Sequence, residues 1–362
     1  MQIGIIGLPN STKTTIFNAL TRSQIATAAY STGAVETHTA SIRVPDPRIA
    51  RLSAMFRPRK TTWAQIHYHD IAGLRVGIGK EGGLSGPLLN SVAQNDAFLH
   101  VVRAFEDEAV QHPEGEVNPA RDLEAMDFEL LFSDLLIVER SLERLSQRLL
   151  KNKPYAERQA DEAQCGLLLR LKEALEREAP IRDLPLTREE ETLLRGYRLL
   201  TAKPVLIALN VGDHGSDRPE DHLAYHHRQS AVLCLRGGLE MEIAQLEPDE
   251  AALFLQEYGI SEPGLHRMIR ASYGLLGLHS FFTVGEDEVR SWTIPIGATA
   301  LEAAGAIHSD LARGFIRAEV VSYDDLMAAG SLDAARKQGV MRLQGRDYVV
   351  KDGDIIFIRF NV

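Results

Sequence analysis

The first residues that could carry out chemistry lie at positions 7–14, which read Gly-Leu-Pro-Asn-Ser-Thr-Lys-Thr. The spacing is that of a phosphate-binding loop, Gly-x-x-x-x-Gly-Lys-Ser/Thr, with a threonine at the second glycine position. In such a loop, backbone N–H groups surround the β-phosphate, the lysine reaches the β- and γ-phosphate oxygens, and the last hydroxyl binds Mg²⁺. Taken alone, the altered motif also fits a strand, a turn and a helix with a surface lysine. We expect phosphate contacts from Asn10, Ser11, Thr12, Lys13, Thr14 and Thr15, and a Mg²⁺ contact from Thr14.

Two further motifs supply the partners that a phosphate-binding loop requires. Asp70-Ile71-Ala72-Gly73 ends an alternating segment, as expected for a carboxylate that holds Mg²⁺ and a glycine amide that meets the γ-phosphate. Asn210-Val211-Gly212-Asp213 follows a buried segment, where amide and carboxylate groups can bind the edge of a purine base. The set predicts a site for a Mg²⁺–purine nucleoside triphosphate. Its expected metal ligand is Asp70, and its further nucleotide contacts are Gly73, Asn210, Val211 and Asp213.

Hydrolysis of such a nucleotide requires charge neutralisation and a positioned water molecule. Lys13 is a candidate catalytic residue because its charge, with that of the metal ligands, neutralises the phosphates. The position after Asp-x-x-Gly is Leu74, whose side chain cannot bind water. Water must then be positioned by backbone groups, by a monovalent cation such as K⁺ near Asn10, or by a mobile side chain. His112 is the candidate side chain because it follows a core segment in a polar loop, and a solvated loop histidine is the alternative.

The motifs stand at the ends of segments that are typical of buried parallel strands. These segments are short apolar runs at residues 3–6, 97–102, 205–209 and 231–235. Two more segments, at residues 40–44 and 64–68, alternate in polarity. Helical stretches lie between them, so the pattern predicts a doubly wound α/β domain with a mostly parallel sheet.

A different pattern covers residues 128–200. Apolar side chains at 131, 135, 138, 142, 145 and 149 follow a heptad spacing, and a second series at 168, 171 and 175 comes after a break at Asn152-Lys153-Pro154. The pattern predicts an antiparallel helical hairpin inserted into the α/β domain, because another core strand follows it. From residue 279 onward, short strands and an alanine-rich helix predict a compact α+β module.

The composition is that of a globular protein, with 44% hydrophobic and 25% charged residues. No apolar run approaches the roughly 20 residues that cross a bilayer, and residues 1–6 resemble a strand instead of a signal peptide, so we expect a cytoplasmic location. Cys165 and Cys234 are too few for a disulfide framework. The net charge of −10 argues against a surface made wholly for nucleic acid, but it leaves room for a local basic patch.

With these motifs in place, the whole chain resembles the YchF family of Obg-like P-loop NTPases. The residues that carry the resemblance are Gly7-Leu8-Pro9-Asn10, Val44-Pro45-Asp46-Pro47-Arg48, Asp70-Ile71-Ala72-Gly73-Leu74, His100-Val101-Val102-Arg103-Ala104-Phe105-Glu106-Asp107, Phe281-Phe282-Thr283-Val284-Gly285, Ala304-Gly305-Ala306-Ile307-His308, Gly314-Phe315-Ile316-Arg317-Ala318-Glu319-Val320 and Phe360-Asn361-Val362. The resemblance implies a P-loop G domain at residues 1–127 and 201–278, a coiled-coil arm at 128–200, and a TGS domain with a ubiquitin-like β-grasp fold at 279–362.

The resemblance also implies a function. Family members hydrolyse ATP or GTP in work linked to the ribosome, and many prefer ATP, so we expect slow, Mg²⁺-dependent hydrolysis by a switch protein. The expected partner is the ribosome or ribosomal RNA, through the arm and the TGS domain. The alternative is a nucleotide-binding or degenerate scaffold without effective hydrolysis that acts through the same two parts.

Four features depart from the family pattern. A left-handed backbone at Thr12, where the family has glycine, would cost about 1–2 kcal/mol, so we expect turnover to be impaired and Thr12→Gly to tighten triphosphate binding roughly five- to thirty-fold. Residues 30–39 lack the usual switch sequence, which leaves Thr37 or Thr39 as candidates for a second Mg²⁺ contact. Asp213 replaces a common glutamate and favours guanine, and residues 234–238 lack the usual small-residue loop beside the base.

Two other clusters have competing interpretations. His67 and His69 share a strand face, but no third ligand is near, so we do not expect a metal site there. The arm carries a basic stripe formed by Arg140, Arg144, Arg148, Lys151 and Lys153. Such a stripe can bind RNA phosphates, or it can be a solvated face that pairs with Glu139 and Glu143.

Overall fold

The computed structural model describes residues 1–21, 37–71, 74, 77, 84, 86–108, 110–151, 154–213, 215–258 and 260–361. The chain divides into two compact units. The first comprises Met1–Ser41 and His67–Met268, and the second comprises Ile42–Ile66 and Ile269–Val362. Within the described ranges, no helix has the length and apolar character needed to span a membrane.

The strands, in chain order, are β1 (Gln2–Ile6), β2 (Thr37–Arg43), β3 (Lys60–Thr62), β4 (Gln65–Ile71), β5 (Ala97–Arg103), β6 (Val205–Asn210), β7 (Ser230–Leu235), β8 (Leu278–Thr283), β9 (Glu288–Pro295), β10 (Phe315–Ser322), β11 (Arg342–Gln344) and β12 (Asp354–Phe360). The helices are α1 (Lys13–Thr21), α2 (Pro47–Phe56), α3 (Gly86–Ala93), α4 (Pro119–Leu149), α5 (Tyr155–Glu176), α6 (Arg188–Leu194), α7 (Gly237–Gln245), α8 (Pro248–Glu257), α9 (Gly264–Leu275), α10 (Ala300–Ile307), α11 (Ser309–Arg313), α12 (Tyr323–Ala329) and α13 (Leu332–Lys337).

The first sheet has the strand order β2-β4-β1-β5-β6-β7. The pairs β1–β4, β1–β5, β5–β6 and β6–β7 are parallel, which confirms the doubly wound α/β prediction. Its apolar core includes Ile6, Phe98, Val102, Ile207 and Leu209, all nearly inaccessible to solvent. Because these strands are parallel, the loops that leave their carboxyl ends meet at one edge of the sheet.

The arm begins earlier than the sequence indicates. Asn118 accepts a hydrogen bond from the backbone of Arg121 and Pro119 is the first helical residue, so α4 starts at 119 instead of 128. The expected boundary near residue 128 is instead the place where α4 passes from one hydrophobic core to another. Leu130 packs in the core of the first sheet, whereas Leu131 packs against α5. One continuous helix therefore joins the domain to its arm.

The two arm helices run antiparallel, as predicted. Two ion pairs show the direction: Glu139 binds Lys172 at 2.9 Å, and Arg148, farther along α4, binds Asp161 near the start of α5 at 2.8 Å. Arg140 and Arg144 are exposed and form no hydrogen bond or ion pair with any described residue. The basic stripe is thus reduced to these two arginines and the exposed Lys151, because Arg148 is engaged and Lys153 lies outside the described residues.

The second sheet has the order β11-β10-β12-β8-β9-β3. Antiparallel pairs β8–β9 and β10–β12 flank a parallel contact between β8 and β12, and α10 packs on one face. This is the β-grasp arrangement that the resemblance implies. Side chains alternate between two cores, since Ile356 contacts the α10 side while its neighbour Ile355 packs with α2 on the other.

Residues 42–66 differ from the expected division. The sequence placed them in the nucleotide-binding domain, whereas in the structure they belong to the unit of the C-terminal sheet. The physical reason is burial: Ile49 and Leu52 of α2 are fully buried in one core with Phe282, and β3 adds a parallel strand beside β9. Arg48 also connects residues 42–66 to the C-terminal part of this unit, through an ion pair with Asp352 at 2.8 Å.

Candidate nucleotide site

A cavity of about 660 Å³ opens at the carboxyl edge of the parallel sheet. Its walls come from the loop after β1, the segments that follow β5 and β6, and the start of α7. The predicted nucleotide contacts that line it are Asn10, Ser11, Thr12, Lys13, Thr14, Thr15, Asn210, Val211 and Asp213. The remaining predicted contact, Gly73, lies outside the described residues. The fold therefore joins two motifs that are about two hundred residues apart in the chain.

The loop after β1 has the tight curvature of a phosphate cradle. A Cβ atom at Gly7 would lie 2.4 Å from the carbonyl oxygen of Val101, so a side chain has no room there. Asn10 and Thr12 have φ angles of 60° and 71°, in the left-handed region. The carbonyl of Thr12 then accepts the first helical hydrogen bond, from Ile16 at 3.1 Å.

Thr12 links the phosphate loop to the base-binding motif. Its hydroxyl donates to the carbonyl of Ser11 and accepts a hydrogen bond of 2.8 Å from the side-chain amide of Asn210. The carbonyl oxygen of that amide accepts from the backbone of Gly237 at 2.9 Å. A Cβ atom at Gly237 would lie 2.8 Å from the Asn210 side-chain nitrogen, so this position requires a glycine. The segment 234–238 therefore does place small residues, Gly237 and Gly238, beside the second motif, contrary to the expectation from the sequence.

The ammonium group of Lys13 lies beneath the loop. It donates to the carbonyls of Gly7 and Leu8, at 2.9 and 2.7 Å. Burial lowers the pKa of Lys13 to about 8, although the charge of Asp70 opposes the shift. His100 is buried nearby, and its pKa is lowered to about 3 by burial and, secondarily, by Lys13, so its ring adds no positive charge at neutral pH.

The two predicted metal ligands are adjacent. Thr14, in the first turn of α1, donates its hydroxyl to the carboxylate of Asp70 at 3.2 Å. Asp70 is the penultimate residue of β4 and is buried, which raises its pKa, while Lys13 and Thr14 counteract the shift. Thr37 and Thr39 were the candidates for a second Mg²⁺ contact. Thr39 is exposed on β2, and the side chain of Thr37 lies outside the described part of the chain. A hydroxyl and a carboxylate oxygen in contact are a ligand set that suits Mg²⁺.

The loop after β5 forms a wall of the cavity that the motif analysis did not assign. Phe105, Glu106, Asp107 and Val110 all line it. The buried Arg103 organises this loop, since its guanidinium donates to the carbonyls of Phe105 at 2.9 Å and Val110 at 2.7 Å and lies over the Phe105 ring. The signal in the sequence was an arginine at the end of a strand that is apolar apart from His100.

His112 does not line the cavity. It is buried, its Nε2 lies 2.8 Å from the carboxylate of Asp122, and its Nδ1 accepts from the backbone of Glu114. Both ring nitrogens are therefore engaged, so neither the expected water-positioning role nor the solvated alternative matches this placement. The preceding residue, Gln111, does contact the phosphate loop, because its backbone carbonyl accepts a hydrogen bond from the Asn10 side chain at 3.2 Å.

The histidine pair before Asp70 shows no metal geometry. His67 lies 2.7 Å from the hydroxyl of Ser41. Over the part of the chain that is described, no three side chains of His, Cys, Asp or Glu come together in a way that could hold a metal ion.

Comparison with known proteins gives matches over the whole chain. Residues 278–361 match the family model for the C-terminal part of YchF GTPases, described as a protein of unknown function, and residues 2–133 match a model described as a 50S ribosome-binding GTPase. The chain is 41% identical to the ribosome-binding ATPase YchF of Bacillus subtilis, over 100% of both chains, and 39% identical to that of Escherichia coli O157:H7, over 100% of this chain and 99% of the other. The solved structure of the Schizosaccharomyces pombe YchF GTPase superposes with a TM-score of 0.85 at 30% identity, covering 99% of this chain and 97% of that chain.

Proposed function

This chain belongs to the YchF family of P-loop NTPases, and we propose that it binds a Mg²⁺–purine nucleoside triphosphate, ATP or GTP, and hydrolyses it slowly. The observation that carries the proposal is the content of one cavity. The cavity is lined by Lys13 and Thr14 of the phosphate loop and by Asn210 and Asp213 of the second motif, and Thr14 contacts Asp70.

Two features of the cavity fit the proposed ligand. The hydroxyl of Ser11 is buried without a partner among the described residues, and a phosphate oxygen would satisfy it. Thr14 and Asp70 would hold Mg²⁺, which when bound neutralises charge on the β- and γ-phosphates. Lys13 supplies the remaining positive charge to the same oxygens.

Two placements support slow turnover as part of the proposal. Leu74, which follows the Asp-x-x-Gly motif, is buried in the sheet core and cannot orient water. His112 is held by Asp122. These two placements also favour the alternative of a nucleotide-binding scaffold without effective hydrolysis, and a single-turnover measurement separates the two functions.

The link to the ribosome is part of the proposal. Its support is that the bacterial relatives are ribosome-binding ATPases, and that Arg140 and Arg144 on the arm are exposed and pair with no described residue. Guanidinium groups on an exposed helix can bind RNA phosphates.

The experiment that tests the proposal is a calorimetric titration of nucleotide-stripped protein with ATP and GTP, with and without Mg²⁺, in K⁺ and in Na⁺ buffer. Lys13→Ala should weaken binding about ten- to a hundred-fold, because a charge-assisted contact contributes roughly 1.5–3 kcal/mol. Lys337→Ala is the matched control, since Lys337 is exposed on α13 and is not a cavity residue. Absence of detectable binding of either nucleotide at millimolar concentration would reject the proposed function.

A further inference from the structure

A second cavity, of about 940 Å³, lies at the opposite edge of the parallel sheet. It is lined by the segments that enter β5, β6 and β7 and by the chain between α5 and β6. Because these strands are parallel, their amino ends meet there, while Asn210 and the nucleotide cavity lie at their carboxyl ends. The volume is in the range of small-molecule sites, and no residue lines both cavities.

The charge of this cavity differs from that of the chain. Among the described residues that line it, the cationic side chains are Arg182, Arg195, Arg198, Lys203 and Arg228, and the carboxylates are Asp96 and Glu191. The protein as a whole carries a net charge of −10. A local excess of cations in an acidic protein attracts anions to that place.

Three of these five cations have no partner among the residues that the structure describes. The guanidinium groups of Arg195, Arg198 and Arg228 form no hydrogen bond or ion pair with any described residue. Asp183 contacts Arg228 through the backbone and not through the guanidinium group. Its carboxylate accepts from the backbone N–H of Arg228 at 2.7 Å and binds the ring of His227 at 2.6 Å.

Arg182 contributes an unsatisfied donor. The residue is only 8% exposed, and its terminal nitrogens donate to the carbonyl of Thr201 and the hydroxyl of Tyr225. Its Nε is buried and has no partner among the described residues. A buried donor of a charged group without an acceptor costs free energy. Arg182 lines the cavity, so the charge of an anion there would offset part of that cost.

Lys203 is another cation in this cavity, and it is partly buried. Its ammonium group donates to the carbonyls of Ala93 and Asn95, at 2.5 and 2.6 Å. Burial lowers its pKa to about 8, Asp134 and Asp96 oppose the shift, and the nearby charge of Arg198 adds to it. Lys203 and Arg198 line the same cavity and are close enough for their charges to interact, so an anion bound there would be attracted by both.

Most of the remaining wall is apolar, although Gln94, Asn95 and Gln229 also line it. The largest group of apolar lining residues comes from the chain between α5 and β6. It is formed by Ile181, Leu184, Pro185, Leu186, Leu194, Leu199, Ala202 and Pro204. An inorganic anion would leave this surface uncovered, whereas an organic body would bury it. From the unpaired guanidinium groups, the unsatisfied donor and the apolar wall, we propose that this cavity binds a small organic phosphate, in which one or more phosphate groups are joined to an apolar or aromatic body.

The test uses the full-length protein and 1-naphthyl phosphate as the probe, titrated by calorimetry beside inorganic phosphate and 1-naphthol. We expect the probe to bind at least tenfold more tightly than either fragment. Arg195→Ala combined with Arg228→Ala should weaken it at least tenfold, because both residues are exposed and their replacement removes charge without opening a core.

Two controls locate the site. Arg188→Ala removes an exposed arginine from the same helix as Leu194 but outside the cavity, and should change the affinity less than twofold. Lys13→Ala should also leave it unchanged, whatever its effect on nucleotide binding. The proposal is overturned if the probe does not bind, if the double variant binds it like the wild type, if 1-naphthol binds equally well, or if Lys13→Ala abolishes binding.

Discussion

Thr12→Gly is the substitution for which the structure changes the expected result. From the sequence, removal of a strained threonine should tighten triphosphate binding. In the structure, the left-handed φ of 71° at Thr12 is held by contacts within the chain, to Ser11, Asn210 and Ile16. Strain that belongs to the loop itself is present before and after binding, so it cancels from the dissociation constant.

The Thr12→Gly substitution affects the stability of the fold and the affinity for nucleotide in different ways. Relief of the left-handed backbone should stabilise the fold by about 1–2 kcal/mol. Loss of the hydrogen bonds to Ser11 and Asn210 should cost about 0.5–1.5 kcal/mol each. The Thr12→Gly variant should therefore lie between about 1 kcal/mol more stable and about 2 kcal/mol less stable than the wild type. Binding loses the hydrogen bond that orients the Asn210 amide, and we expect it to weaken about two- to tenfold.

The assay is calorimetric titration with a non-hydrolysable triphosphate, alongside thermal unfolding of each variant. Thr12→Ser keeps the hydroxyl and should bind within twofold of the wild type. Thr12→Val keeps the branched shape but cannot accept from Asn210, so it should weaken binding as Thr12→Gly does. A double-mutant cycle of Thr12→Val with Asn210→Ala should give a coupling of about 0.5–1.5 kcal/mol.

A fivefold or greater tightening by Thr12→Gly would contradict this account. It would mean that the threonine side chain obstructs the phosphate and that its hydroxyl contributes little. Additive effects in the cycle would likewise show that the 2.8 Å contact does not position Asn210.

Four further outcomes follow from the geometry. Because the pKa of Lys13 is about 8 and only its protonated form attracts phosphate, triphosphate affinity should fall about tenfold between pH 7 and pH 9, and titrations of Lys13→Ala should show no such fall. ATP and GTP should bind within about a hundred-fold of each other, a gap under ~3 kcal/mol, with Asp213→Ala weakening GTP more than ATP in a side-by-side titration. Ribosome co-sedimentation should weaken as salt rises, and Arg140→Ala with Arg144→Ala should reduce both the association and its salt dependence, whereas an unchanged profile would remove these arginines from the interface. Asp134→Ala should destabilise the protein by roughly 3 kcal/mol in thermal unfolding, because buried Asp134 accepts hydrogen bonds from the backbone of Leu200 and from Thr201 where the arm returns to the sheet.

The parts of this protein that follow local rules are visible in its sequence. The buried strands are short apolar runs, the arm is a heptad series interrupted at Pro154, and the phosphate loop is a spacing within eight residues. Each of these patterns arises from neighbours in the chain, because strand alternation, helical periodicity and tight turns depend on residues a few positions apart. For the same reason, the sequence places nine of the ten expected nucleotide contacts in what proves to be one cavity.

Other features depend on which distant segments meet, and periodicity carries no information about that. Residues 42–66 join the C-terminal sheet because Ile49 and Leu52 find a core there, although their position in the chain suggests the other unit. The ring of His112 contacts the carboxylate of Asp122, in the first turn of α4. The hydroxyl of Thr12, which looked like a source of strain, is paired with an amide 198 residues away. Whether a polar side chain is free or engaged is a property of its three-dimensional neighbours, and only the folded chain brings those neighbours together.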